Sequence, residues 1–235
     1  MEMNLSKKIK NVLSVILILI GISLLGNTNN NPIAFIERIF KPVKIGGGTF
    51  YYSGIFPILL IYFGFKWMNE FGEYKLLKTR NRRIIATIIV LLFSNQLITY
   101  GVKISKSMST DLNSIYYNRN NVNNDLSLKL GNKSNEITTC TIELENCSEK
   151  AQEFYIKILV PEYYQEFVLQ EELIAKESDF KTDKKFTLHA KEKRVINAVF
   201  LGDMKKSDTS FAGSANEFEF LLINDKEEVK FIKKQ

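Results

Sequence analysis

The chain has 235 residues, 45% of them apolar, a formal charge of +6, one histidine and two cysteines. One His and two Cys cannot furnish an ordinary four-ligand zinc site. The charge is uneven: residues 1–124 carry 15 Lys/Arg against 5 Asp/Glu, while residues 125–235 carry 17 against 21. The basic surplus therefore flanks apolar stretches, where membrane orientation explains it, and nucleic-acid binding is excluded as its use.

Three apolar stretches come first in the chain, at residues 9–26, 51–68 and 84–102. Each approaches the ~20 residues that cross a bilayer, so the sequence predicts three transmembrane helices. Lys7, Lys8 and Lys10 precede the first. Lys66, Lys75, Lys78, Arg80, Arg82 and Arg83 cluster around the 69–83 loop. The positive-inside rule then places the N-terminus and that loop in the cytoplasm and everything after about residue 103 outside. Residues 9–26 read as a retained signal anchor, because Ser23-Leu24-Leu25-Gly26 is a poor cleavage site.

Between the first two stretches, residues 32–44 predict an outer amphipathic helix. It opens at Pro32 with Asn31 as cap and ends near Phe40, before Pro42. Gly46-Gly47-Gly48 reads as a loose hinge, and Pro57 as a bend in the second span. In the third span Ser94, Asn95, Gln96 and Thr99 form a polar cluster. Amides and hydroxyls in hydrocarbon seek hydrogen-bond partners, so these four predict helix–helix contacts. No Asp, Glu, Lys, Arg or His lies deep in any span, which disfavours a pump or transporter acting alone.

Ile104, Met108, Leu112 and Ile115 continue one helical stripe and predict a stalk, followed by a polar linker at 118–124. From Asp125 the apolar period becomes two. Leu126, Leu128 and Leu130 alternate with polar residues, as do Thr138, Cys140, Ile142 and Leu144. Further strands are predicted at 154–158, 167–173, 186–188, 195–201, 218–222 and 229–232. Eight short strands separated by turns suggest an antiparallel β-sandwich.

Cys140 and Cys147 lie about 20 Å apart if the chain between them is extended, too far for a disulfide. Cys140 has core parity, whereas Cys147 falls in a turn, open to reaction or to pairing between chains. Asn132-Lys133-Ser134 and Asn146-Cys147-Ser148 match a glycosylation pattern that an Asn-rich chain meets by chance. His189 reads as an ordinary turn histidine, and no Gly-x-Ser-x-Gly elbow supports a hydrolase triad around it.

The run Ile142-Glu143-Leu144-Glu145-Asn146, a polar turn, then Phe154-Tyr155-Ile156-Lys157-Ile158 resembles bacterial immunoglobulin-like modules. The resemblance covers residues 125–235 at the level of fold. The predicted architecture is a membrane all-α anchor plus an all-β, immunoglobulin-like antiparallel β-sandwich. Its parts are a transmembrane region at 1–103, a stalk and linker at 104–124 and an extracytoplasmic domain at 125–235. The expected role is non-catalytic binding or assembly in a bacterial envelope, with membrane lipid and a protein partner or second copy, and no cofactor or metal. The partner surface is expected around Tyr163, Tyr164 and Phe167. Two alternatives compete with it: an auxiliary subunit of a transporter or membrane enzyme, and a carboxylate-dependent hydrolase.

Overall fold

The computed structural model describes residues 2–72, 74, 77–119, 121, 124–130, 135–203, 205 and 212–233. Two compact units form: Met1–Thr28 with Ile33–Gly101, and Asn29–Pro32 with Val102–Gln235.

The first unit is mainly helical. It holds α1 (Glu2–Leu25), α2 (Phe35–Ile39), α3 (Ile55–Gly72) and most of α4 (Arg80–Ser107), with a small hairpin of β1 (Val43–Ile45) and β2 (Gly48–Phe50). That hairpin replaces the expected glycine hinge. Gly46 turns the chain at φ +60°, a conformation in which a Cβ is strained. α2 follows Ala34 with no side-chain cap, so Asn31 does not cap it. Pro57 is the third residue of α3. Its missing N–H falls in the first turn, where helical donors have no intrahelical partner anyway, so it does not break the ladder.

α1 and α3 are joined by small residues. A Cβ on Gly64 would lie 2.5 Å from Ile18 Cγ1 and 3.0 Å from the Ser14 carbonyl oxygen. One on Gly21 would lie 2.7 Å from Ile61 Cγ1 and 2.9 Å from the Pro57 carbonyl oxygen. Residues 14–21 thus run antiparallel to 57–64 at backbone contact, with Ile18, Ile61 and Ser14 buried in the seam.

Three membrane-crossing helices are not seen. Helices form at all three predicted places, but among the described residues only α4 is long and apolar enough to cross a bilayer. The apolar part of α1 is Ile9–Leu25, behind a short lysine-bearing start. α3 has 18 residues and ends in polar turns carrying Lys66, Asn69 and Glu70. Both fall short of the ~20 apolar residues required.

The second unit is antiparallel β. Its strands are β3 (Ile115–Tyr117), β4 (Asp125–Leu130), β5 (Asn135–Asn146), β6 (Gln152–Leu159), β7 (Glu172–Lys176), β8 (Lys185–Leu188), β9 (Lys193–Asp203), β10 (Ala212–Ala215), β11 (Phe220–Ile223) and β12 (Glu228–Phe231). They form one curled sheet in the order β10-β4-β5-β9-β7-β6-β11-β12, with β3 also on β5 and β8 also on β6. The longest ladder joins β5 to β9, from Asn135↔Asp203 to Glu145↔Lys193. β7 makes the corner: Leu173 and Ile174 pair with β6, while Ala175 and Lys176 pair with β9. A curl of this kind is compatible with a sandwich-like fold, the two halves of one sheet enclosing one core. Inward residues of both halves meet there, including Leu126, Cys140, Ile142 and Phe200 from one and Phe154, Ile156, Phe220 and Phe231 from the other.

The helix continues past Val102 as the stripe predicted, but only as far as Ser107. Met108 points into the open at 82% exposure. Leu112 and Ile115 are fully buried in the β core. Beyond Ser107 the helical spacing of the stripe was coincidental, since those two residues serve a 3-10 turn (Asp111–Ser114) and β3. The described asparagines of the polar run after β3 are hydrogen-bonded to β5. The Asn118 and Asn121 amides donate to the Glu143 carboxylate, the latter at 2.8 Å, and Asn124 Oδ1 accepts from the Glu143 amide at 3.0 Å.

Asn29–Pro32 is stitched into this unit far from its sequence neighbours. Asn29 behaves like a strand residue: its Oδ1 accepts from the Tyr117 amide at 2.7 Å, and its Nδ2 donates to the Tyr117 carbonyl at 2.9 Å. The Ile232 amide donates to the Asn30 carbonyl at 2.9 Å. Arg119 completes the link, donating to the carbonyls of Ile232 (2.8 Å) and Asn29 (3.2 Å). The segment covers the end of edge strand β12, where open backbone groups invite other chains.

Candidate functional site

The residues singled out in the third apolar stretch lie on different sides of α4. Ser94 is buried, and its hydroxyl donates to the Leu91 carbonyl of its own helix at 2.7 Å. It is therefore not a bond across helices. Thr87 behaves alike, donating to the Arg83 carbonyl at 2.9 Å. Thr99 is half-buried, while Asn95 and Gln96 are exposed.

Tyr163, Tyr164 and Phe167 belong to a compact turn after β6. Tyr163 and Tyr164 sit in a 3-10 helix (Glu162–Tyr164). Tyr164 is 2% exposed and Phe167 packs on the core. Tyr164 is thus an anchor and not a partner surface. Alternation cannot reveal this, because a short turn has no strand parity. Likewise the strand predicted at 167–173 begins only at Glu172.

What that anchored turn builds is a cleft of about 360 Å³. Val160 and Pro161, with Glu162 and Gln165, form its middle; Glu171 lies on one side and the segment Glu217-Phe218-Glu219 on the other, because β7 and β11 flank β6. Backbone bonds fix both sides: the Val160 amide donates to the Glu171 carbonyl at 2.8 Å, and the Leu159 amide to the Glu219 carbonyl at 3.0 Å. Gln165 Nε2 donates to the Val160 carbonyl at 3.1 Å, and Phe218, 2% exposed, anchors its segment in the core. Of the glutamates around the cleft, Glu172 pairs with Lys157 at 2.8 Å and Glu219 with Lys230 at 3.0 Å. Among the described residues, Glu162, Glu171 and Glu217 have no lysine or arginine at ion-pair distance, although Lys233 also lines the rim. The result is an open, acidic recess suited to ammonium or guanidinium groups. No three His, Cys, Asp or Glu among the described residues converge closely enough to hold a metal ion.

Neither cysteine is placed for chemistry. Both are free and buried, and burial pushes both thiols upward, away from the reactive thiolate. Cys147 is 6% exposed, so the expected open turn thiol is not found. Asn146 beside it is fully buried. Its Nδ2 donates to the carbonyls of Lys150 (2.8 Å), Leu188 (3.2 Å) and His189 (3.0 Å), which leaves no room for a glycan. The other glycosylation match, at 132–134, lies outside the described residues. His189 lies in the turn between β8 and β9, its amide donating to Glu192 Oε2 at 2.7 Å.

Two features escaped the sequence reading. The Gly21 and Gly64 contact was signalled only by glycines inside apolar helices. Asn29 carried no usable signal, because it is one of many asparagines in a polar tract. No protein-family model, curated protein or solved structure matches the chain.

Proposed function

We propose that this chain is a non-catalytic binding or assembly protein held at a membrane by α4, with its β unit working outside the cytoplasm as an immunoglobulin-like module. One observation carries the reading. Only 11% of the most apolar stretch of α4 is buried within the chain, while the β unit encloses its own apolar core. Exposed apolar surface on that scale needs a cover, and lipid supplies one. Lys78, Arg80, Arg82 and Arg83 lie at the N-terminal end of α4 against Lys103 and Lys106 at the other. The positive-inside rule then directs the β unit outward. The acidic recess between Glu162 and Glu217 is the contact we assign to a basic segment of a partner protein. Exposed carboxylates suit ion pairing better than proton transfer, which calls for a buried acid.

Two measurements test this. Protease added to spheroplasts of an expression host is expected to remove the β unit and spare the 69–83 loop; the reverse pattern rejects the orientation. An oligolysine peptide is expected to bind the purified protein in a salt-sensitive way. Charge reversal at Glu162 and Glu171 together is expected to weaken it by about tenfold, on the order of 0.7 kcal/mol per lost ion pair. Unchanged binding removes the recess from the proposal.

A further inference from the structure

α4 carries two different faces within its first unit. Thr87 and Ser94 are buried, Leu91 and Ile98 half-buried, and Ile98 approaches the position a Cβ on Gly26 would take to 3.5 Å. These four residues share one side and form the inward face. At 3.6 residues per turn, Gln96 lies about 180° around the helix from Thr87. On that outward side Ile85, Ile89, Leu92, Gln96 and Thr99 follow one another at steps of four, three, four and three. This is the heptad spacing of a two-helix seam. The apolar members are exposed, at 55% for Ile85, 49% for Ile89 and 73% for Leu92. Among the described residues the Gln96 carboxamide has no hydrogen-bond partner.

We infer that the outward face of α4 pairs with the same face of a second copy of this chain, with Gln96 against Gln96 at the centre of the seam. The inference rests on the reading of α4 as a membrane-crossing helix. Lipid covers Ile85, Ile89 and Leu92 adequately but leaves the carboxamide without a partner, which hydrocarbon penalises. A second copy inserts with the same orientation, so a two-fold axis along the membrane normal brings each Gln96 to the depth of the other. A carboxamide is both donor and acceptor and is therefore complementary to itself. A heptad seam that carries a carboxamide among apolar residues is also an arrangement that fixes register and copy number in paired helices. Asn95 lies on the flank of the seam and is not required for it.

The test is cysteine cross-linking of the full-length chain in native membranes, with carbonate extraction of the same samples. The seam variants are Ile85→Cys, Ile89→Cys, Leu92→Cys and Gln96→Cys. Off-seam controls that are also exposed are Ile84→Cys and Leu97→Cys. The native Cys140 and Cys147 are buried and serve as silent background. Dimers are expected at the seam positions and not at the two controls. Gln96→Leu is expected to weaken dimerisation about threefold, the usual size of one interhelical side-chain bond, and Gln96→Asn to retain it. Protein that resists carbonate yet cross-links equally at all positions, not at all, or only to a different protein overturns the pairing and leaves the membrane reading standing. Protein released by carbonate overturns both.

Discussion

The two units use phenylalanine in opposite ways. In the β unit Phe154, Phe200, Phe218, Phe220 and Phe231 are among the largest fully buried side chains. In the helical unit Phe35, Phe40, Phe56, Phe63 and Phe93 are all more than a third exposed. The residue type is the same, so the difference lies in what each unit has to fold against. The β unit gains its stability by taking apolar area out of water into its own core. Among the described residues the helical unit has a tight seam between α1 and α3, and most of its other large apolar side chains are exposed. Stability in the first should follow core volume, and in the second should follow backbone approach at a few small residues.

The largest expected effect breaks the β core. Phe220 is fully buried, stacks on Phe231 at 4.7 Å and meets the Tyr117 ring edge-on at 4.9 Å. Phe220→Ala is expected to cost about 3–5 kcal/mol in urea unfolding of the full-length chain in detergent, read by circular dichroism. Phe93→Ala, at a position 53% exposed, is expected to cost under ~0.5 kcal/mol by the same measurement. Equal costs would erase the contrast between the units.

The next effect breaks the helical seam. Gly64→Val places side-chain atoms where Ile18 and the Ser14 carbonyl already sit, and is expected to cost about 1–3 kcal/mol through separation of α1 from α3. Gly101 lies in α4 with nothing within 4 Å of a built Cβ. Gly101→Ala is therefore expected to stabilise slightly, by up to ~1 kcal/mol, as helix propensity alone dictates. Thermal unfolding in detergent separates the two, and a Gly64 variant as stable as the Gly101 variant would show that the close approach carries no weight.

How much of this was legible beforehand depended on whether the signal was periodic. β5 announces itself because Thr138, Cys140, Ile142 and Leu144 alternate with outward residues over a long strand, and β6, β8, β9 and β12 follow the same logic. β3 has too few residues to show a period, and β10, Ala-Gly-Ser-Ala, has no large apolar side chains to alternate. Leu112 and Ile115 satisfied a helical spacing while belonging to a turn and a strand, because two residues three apart fit several structures. The acidic recess was not legible at all. Its glutamates come from three separate stretches that only the β6, β7 and β11 neighbourhood brings together, and the individual Glu pairs look like ordinary solvated charges. The outward face of α4 was half legible: Gln96 was read as a polar contact, but which side of the helix it occupies depends on where Thr87 and Ser94 are buried.

A smaller effect sharpens the account of the β unit, because it concerns closure and not core volume. Asn29→Ala removes both bonds to Tyr117, a residue 2% exposed, and is expected to cost about 1–2 kcal/mol. Hydrogen exchange at the Tyr117 amide should accelerate, and Asn29→Asp, which keeps the acceptor for that amide, should restore part of the protection. Unaltered exchange in Asn29→Ala would mean that the inserted segment adds nothing to the closure.

The smallest effect depends on pH. Burial alone would push the Glu143 carboxyl upward, but hydrogen bonds from Lys193, Asn118 and Asn121 outweigh it and hold the group below its usual range. The folded value thus lies below the unfolded one. Glu143 contributes stability that is fully present above the unfolded carboxylate range and fades as pH falls through the folded value. Lys193, 2.8 Å away, is shifted upward by the same bond; its share is present below the ordinary lysine range and is lost as pH rises through the raised value. Because the Lys193 side chain is 52% exposed, the pair is expected to supply only about 0.5–1 kcal/mol. Glu143→Gln should lower the urea midpoint near neutral pH, and its curve should converge on that of the parent chain in acid. A constant gap at every pH would show that Asn118 and Asn121 are held by the shape of this residue alone, its charge contributing nothing.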